Sequence, residues 1–263
     1  MNKTPTGKLY LMPNTLDFGV PGAEVDLQQV LPLHAIQIAA RLGHWVAENA
    51  KTTRAFLKRV DAVQALAQPL QSLQIVELPR PGKGGGSSKT PASPSPTDAW
   101  GALLAPTLAG HDLGLISEAG LPAIADPGAQ LVAAAHAQGV EVVPLSGPSS
   151  LLLALAASGL NGQSFAFVGY LPVEGPARMT RIRELEVLSQ KAQQTQLMIE
   201  TPYRNEALLQ ALLQGLRPTT RLSVSCGLSL TQGWTHSATV AQWRTQPRAL
   251  PDKVPAVFAL LAP

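Results

Sequence analysis

The chain has 263 residues, of which 45% are apolar and only 14% charged, with a formal net charge of +3. That length and apolar content suit two small domains or one large one, and the charge balance is far below that of a dedicated basic nucleic-acid module. A single cysteine, Cys226, excludes an internal disulfide and fits a reducing cytosol. With no basic-then-apolar leader and no apolar run near the ~18 residues of a membrane span, the expectation is a soluble cytoplasmic protein.

Taken in order, residues 1–7 read as a tail and 9–12 as a short apolar strand, followed by the turn Pro13-Asn14-Thr15. Residues 28–42 carry apolar side chains at helical spacing, and 45–47 read as a strand. A helix then opens near Glu48-Asn49, 61–73 is helical or a helical turn, and 74–78 is a strand. Residues 79–97 are rich in Gly, Ser and Pro and read as a flexible surface insertion. The Gly run before Lys89-Thr90 is not a phosphate-binding loop. Ser88 and Lys83 stand where that motif requires glycines, and Pro91 blocks a regular helix start. A helix over 100–108 feeds the next strand.

The stretch 111–160 organises the rest. Residues 113–117 form a short apolar run that stops at Glu118-Ala119-Gly120-Leu121-Pro122. Asp126 and Pro127 suit the N-cap and first position of a helix that continues to Gln138, with Gly139 as its left-handed stop. Residues 140–143 are a second strand, and Ser146-Gly147-Pro148-Ser149-Ser150 opens a second helix ending at Ser158-Gly159. Two such units in succession imply a parallel sheet with right-handed crossovers. The loops 118–126 and 144–148 then lie at the carboxyl ends of strands, where open α/β sheets bind small molecules. Further on, 165–171, 196–199, 221–226 and 254–261 read as strands of a mixed sheet, with helices over 177–194 and 205–216. Arg178, Arg181, Arg183 and Lys191 read as a solvated basic face of the first helix, or as contacts to RNA phosphate.

At these residues the chain resembles the tetrapyrrole methylase superfamily of S-adenosylmethionine (SAM)-dependent methyltransferases, and within it the ribosomal small-subunit RNA cytidine 2′-O-methyltransferases. The resemblance is carried by Ser117-Glu118-Ala119-Gly120-Leu121-Pro122, Asp126-Pro127-Gly128, Ser146-Gly147-Pro148-Ser149, Ser158-Gly159-Leu160, Phe165-Ala166-Phe167-Val168-Gly169-Tyr170-Leu171-Pro172 and Glu200-Thr201-Pro202-Tyr203-Arg204. It covers about half the chain. It implies two α/β domains, 1–160 with a parallel sheet and 161–263 with a mixed sheet, with a SAM cleft between them, a homodimer, and ribosomal RNA as partner. The family's first loop usually has a Gly that Met12-Pro13-Asn14-Thr15-Leu16-Asp17 lacks. Its Glu-Asp-Thr-Arg motif here carries Asn49 and Lys51, and its Glu-Leu-Thr-Lys is Ser229-Leu230-Thr231-Gln232.

The resemblance implies that Ser117, Glu118, Gly120 and Pro122 line one wall of the SAM cleft. Ser149 and Ser150 would hold the methionine end, and Thr201, Pro202, Pro255 and Ala256 would surround the adenine. Asn14, Glu48, Lys51, Arg54, Tyr203 and Arg204 fall to the substrate side, although Lys51 and Arg54 read equally as a solvated helix face. Glu200 is the candidate acid or base, with a structural ion pair to Arg204 as the competing reading. The departures leave two alternatives open: a tetrapyrrole or other small-molecule methylase, and a SAM-binding protein that has lost catalysis. Metal chemistry finds no support, since the five histidines lack ligand spacing and Cys226 has no CxxC partner. No G-x-S-x-G or G-x-G-x-x-G motif is present either.

Overall fold

The computed structural model describes residues 5–17, 20, 22–79 and 96–263. Most of the insertion expected at 79–97, and the first four residues of the tail, lie outside the described residues. The chain divides into two compact units: Met1–Thr15 with Asp26–Pro148, and Leu16–Val25 with Ser149–Pro263.

The first unit contains strands β1 (Leu9–Met12), β2 (His44–Ala47), β3 (Gln74–Glu77), β4 (Leu113–Ile116) and β5 (Val142–Pro144). They form one sheet in the order β3-β2-β4-β1-β5, and every pairing is parallel. Helices α1 (Leu27–Val30), α2 (Leu33–Arg41), α3 (Ala50–Val63), α4 (Pro96–Ala102), α5 (Ala105–Leu108) and α6 (Ala129–Ala137) connect them. Alternate residues of β1 feed opposite faces: Tyr10 and Met12 join a core with Ile36, Phe56 and Leu57, and Leu9 joins one with Leu104, Leu131 and Ala135. The inner strands β1 and β4 are covered on both faces, which explains why they read as unbroken apolar runs, whereas the edge strand β3 is largely exposed.

Two local expectations change. The helix expected over 28–42 is broken into α1 and α2 at Pro32, because Leu31 before the proline is forced to extended backbone (φ −105°, ψ 136°). Asp126 is not an N-cap: α6 begins at Ala129, its cap is Gly128 at φ 132°, and no side chain caps it. Left-handed Ala123 and Ala125 prolong the loop instead.

The second unit contains β6 (Phe165–Tyr170), β7 (Thr195–Ile199), β8 (Arg221–Cys226), β9 (Trp234–Thr239) and β10 (Ala256–Leu261), in the order β6-β7-β10-β8-β9. Only β6 and β7 are parallel. Helix α7 (Ser150–Ser158) covers one face through Leu151, Ala154 and Leu155 against Leu197, Val257 and Ala259. A boundary at 160 puts α7 in the first domain, whereas this apolar face packs in the second unit. Helices α8 (Gly175–Ala192), α9 (Asn205–Gly215) and α10 (Val240–Thr245) contribute to the core on the other face, around Met198, Phe258 and Trp243.

Candidate functional site

In the first unit all five strands run the same way, so the loops 13–15, 48–49, 117–128 and 145–148 share one sheet edge. Asn14, 6% exposed, ties two of them together. Its Nδ2 donates to the carbonyls of Ser117 (3.1 Å) and Glu118 (3.0 Å), and its Oδ1 accepts from Thr15 N at 2.9 Å. Its backbone N donates to Gly120 O at 2.8 Å, closing an antiparallel bridge between the loops. Gly120 makes this turn at φ 66°. Gly147 supplies the other close approach, since a Cβ there would lie 2.1 Å from Cβ of Pro13.

Carboxylates gather at the same edge. Glu48 Oε2 accepts from Glu118 N at 3.1 Å, and Thr52 Oγ1 donates to Glu118 Oε1 at 3.4 Å. Burial pushes the Glu118 carboxyl above its ordinary range and Glu48 adds to this, while hydrogen bonds from Thr52 and Asn49 oppose it. Burial, then Glu48 and Glu118, push Asp126 up to about 7. Among the described residues these carboxylates form no set that could hold a metal ion. Asn49, the departure from the family's Asp, is the N-cap of α3, accepting from Lys51 N and Thr52 N. Lys51 and Arg54 stand exposed on the first turns of that helix, and Arg54 Nη1 donates to the carbonyl of Ala50 at 3.4 Å. Ser117 is 3% exposed and its Oγ has no hydrogen-bond partner among the described residues; Pro122 is buried.

In the second unit Ser149 precedes α7 and Ser150 begins it, and no side chain caps the helix. Glu200 follows β7 with its side chain fully buried. Its Oε1 accepts from Arg204 Nη2 (2.6 Å), Arg204 Nε (3.0 Å) and Thr201 N (2.8 Å). Its Oε2 has no hydrogen bond among the described residues and lies 4.0 Å from Arg178 Nη2. Pro202–Arg204 makes one 3-10 turn, and Asn205 Nδ2 donates to Val254 O at 3.0 Å. Val257 pairs with Ile199, so Pro255 and Ala256 arrive beside Glu200 and Thr201. The structure therefore groups Asn14, Glu48, Ser117, Glu118, Gly120 and Pro122 in one unit, and Glu200 to Arg204 with Pro255 and Ala256 in the other.

Arg178 is a correction. It is 8% exposed rather than solvated, and donates to the carbonyls of Pro172 (2.8 Å) and Val173 (3.1 Å). The signal was its spacing: Arg178, Ile182, Leu185, Glu186 and Ser189 share the buried face of α8. Asp126 was missed as an ionisable group because its cap position explained it too readily.

The family model for tetrapyrrole (corrin/porphyrin) methylases matches residues 51–241, well over half of the chain. The chain belongs to this family. Among curated relatives, a protein of Mesorhizobium japonicum named "Ribosomal RNA small subunit methyltransferase I" is 40% identical over 114 residues, covering 43% of this chain and 37% of that protein. One of the same name from Vibrio cholerae is 41% identical over 109 residues, covering 41% and 36%. The aligned stretches thus span little more than a third of those relatives. Among solved structures, the uroporphyrin-III-C-methyltransferase of Thermus thermophilus has a TM-score of 0.50 at 19% identity, covering 97% of this chain and 92% of that one. A putative cobalamin synthesis related protein (CobF) of Corynebacterium diphtheriae has a TM-score of 0.54 at 14% identity, covering 97% and 98%. At those identities the likeness is one of fold alone, a two-domain α/β architecture.

Proposed function

We propose that this tetrapyrrole-methylase family member is a SAM-dependent methyltransferase acting on ribosomal RNA, at a ribose 2′-hydroxyl. The observation that carries the reading is the 40% identity, over 43% of the chain, to a protein named for methylating small-subunit ribosomal RNA. A homodimer in the cytoplasm goes with it; among the described residues no helix is long and apolar enough to cross a membrane.

The residues present fit the cofactor. The buried, unpartnered Ser117 Oγ offers a hydrogen bond to a polar ligand group, and the uncapped first turn of α7 offers backbone N–H groups suited to a carboxylate. Ser117, Glu118, Gly120 and Pro122 would hold one side, Ser149 and Ser150 the methionine carboxylate, and Thr201, Pro202, Pro255 and Ala256 the adenine. SAM, when bound, supplies an electrophilic methyl group on a sulfonium. The protein's work is then to align the acceptor and exclude water. Lys51 and Arg54 offer exposed cations to the RNA backbone. Glu200, buried and ion-paired, is suited to holding its loop.

The test is incubation of the purified protein with methyl-labelled SAM and small ribosomal subunits that lack the modification, followed by nucleoside mass spectrometry. A 2′-O-methylated nucleoside is expected. Label entering a tetrapyrrole but no RNA would overturn the substrate. Absence of SAM binding by calorimetry, against about 2.7 kcal/mol of added stability at a hundredfold excess over Kd, would overturn the cofactor.

A further inference from the structure

Tyr203 is 74% exposed, the most exposed large hydrophobic side chain among the described residues. It sits at the tip of the 3-10 turn Pro202–Arg204, directly after β7. Freely moving surface aromatics need no explanation, but this one is not freely mounted. The guanidinium carbon of Arg204 lies 5.5 Å from its ring centroid. That guanidinium is in turn pinned to Glu200 Oε1 by Nη2 at 2.6 Å and Nε at 3.0 Å, and Nε also reaches Thr201 Oγ1 at 3.1 Å. Behind Glu200 stands Arg178, anchored to the carbonyls of Pro172 and Val173. The backbone closes the turn through Arg204 N to Thr201 O at 2.8 Å.

The fold therefore buries a carboxylate, which is costly in desolvation, to stiffen a segment whose tip leaves an aromatic ring in water. A rigid exposed ring with a fixed cation beside it loses little entropy when a flat π-system stacks on it. RNA offers such a surface in its unpaired bases, which proteins capture on aromatic rings and guanidinium planes. We infer that Tyr203, held by the Arg204–Glu200–Arg178 chain, is a stacking platform for one unpaired nucleobase of the RNA substrate. This rests on the reading of the protein as an RNA methyltransferase and adds a subsite to it.

The experiment compares the full-length wild type with Tyr203→Phe and Tyr203→Ala, measuring KM and kcat on unmodified small ribosomal subunits, Kd for SAM by calorimetry, and Tm. Loss of one stacked base raises the RNA KM of Tyr203→Ala by about fivefold to 150-fold. Its SAM Kd and Tm stay at wild-type values, and Tyr203→Phe, which keeps the ring, stays within about twofold. An RNA KM unchanged in Tyr203→Ala overturns the platform. So does a parallel loss of SAM affinity, which would make the ring an adenine contact, or a Tyr203→Phe variant as impaired as Tyr203→Ala, which would assign the effect to the hydroxyl. A wild type that methylates no RNA defeats the functional reading itself, before any variant is compared.

Discussion

Gly147→Ala is the sharpest probe of the first unit's loop edge, where SAM is proposed to bind. The added Cβ would lie 2.1 Å from Cβ and 2.6 Å from Cγ of Pro13. Apolar carbons rest at about 3.5–4.0 Å, so the overlap is roughly 1.5 Å and cannot be absorbed by a rotamer change. Pro13 is a poor neighbour to push: its ring fixes its own φ, and the next residue, Asn14, is held by three loop carbonyls. The loops after β1 and β5 must separate, at an expected cost in the upper part of the 1–3 kcal/mol range for overpacking, about 3–10 °C in Tm. Because the Asn14 bridge transmits the shift to the loop of Ser117 and Glu118, SAM affinity should fall as well. Differential scanning calorimetry with and without SAM reads both effects. Gly162→Ala is the control, since nothing lies within 4 Å of a Cβ there. A Gly147→Ala protein melting within about 1 °C of wild type, with unchanged SAM affinity, would refute the close approach of the two loops.

Asp126, raised from 3.8 to about 7, binds its proton in the folded state at pH values where the unfolded chain has lost it. Its effect on stability is therefore absent below about pH 4, grows more unfavourable as pH rises through 7, and is constant above. Asp126→Asn should melt higher than wild type at pH 8 and equally at pH 4, as followed by thermal unfolding across that range; equal melting at both pH values would show that the carboxyl is not strained by burial. Glu200→Ala strands Arg178 and Arg204 without their carboxylate and is expected to cost about 3–5 kcal/mol in urea unfolding; a midpoint near wild type would show that the pair adds nothing to the fold.

The middle of the first sheet was legible because parallel strands covered on both faces, such as β1 and β4, announce themselves as short apolar runs. The bounds of β1 and β8 match the reading to the residue. Strand β9 was not legible: Trp-Thr-His-Ser-Ala-Thr is an edge strand, half-buried throughout, with no run to find. Helix α10 after it has only six residues, with a Thr239–Gln242 capping box and one buried apolar pair, Val240 and Trp243, too short a pattern to read as a helix. The site divides the same way. Motifs disclosed which residues stand at the strand ends, but not how Asn14 threads between two loops or how Glu48 reaches the backbone of Glu118. Those are properties of tertiary packing, which no local pattern carries.

The order of the first sheet also dictates when it can form. Strand β1 pairs only with β4 and β5, and Leu9 meets its partner Leu113 about a hundred residues later in the chain. At roughly 5–20 residues per second on the ribosome, those four apolar residues wait about 5–20 s for a neighbour. Strand β2 waits similarly for β4 on one side but has β3 within reach on the other. The nascent protein thus completes the outer half of its first sheet before the middle, and its opening strand spends that interval as an unpaired apolar segment that a chaperone would recognise.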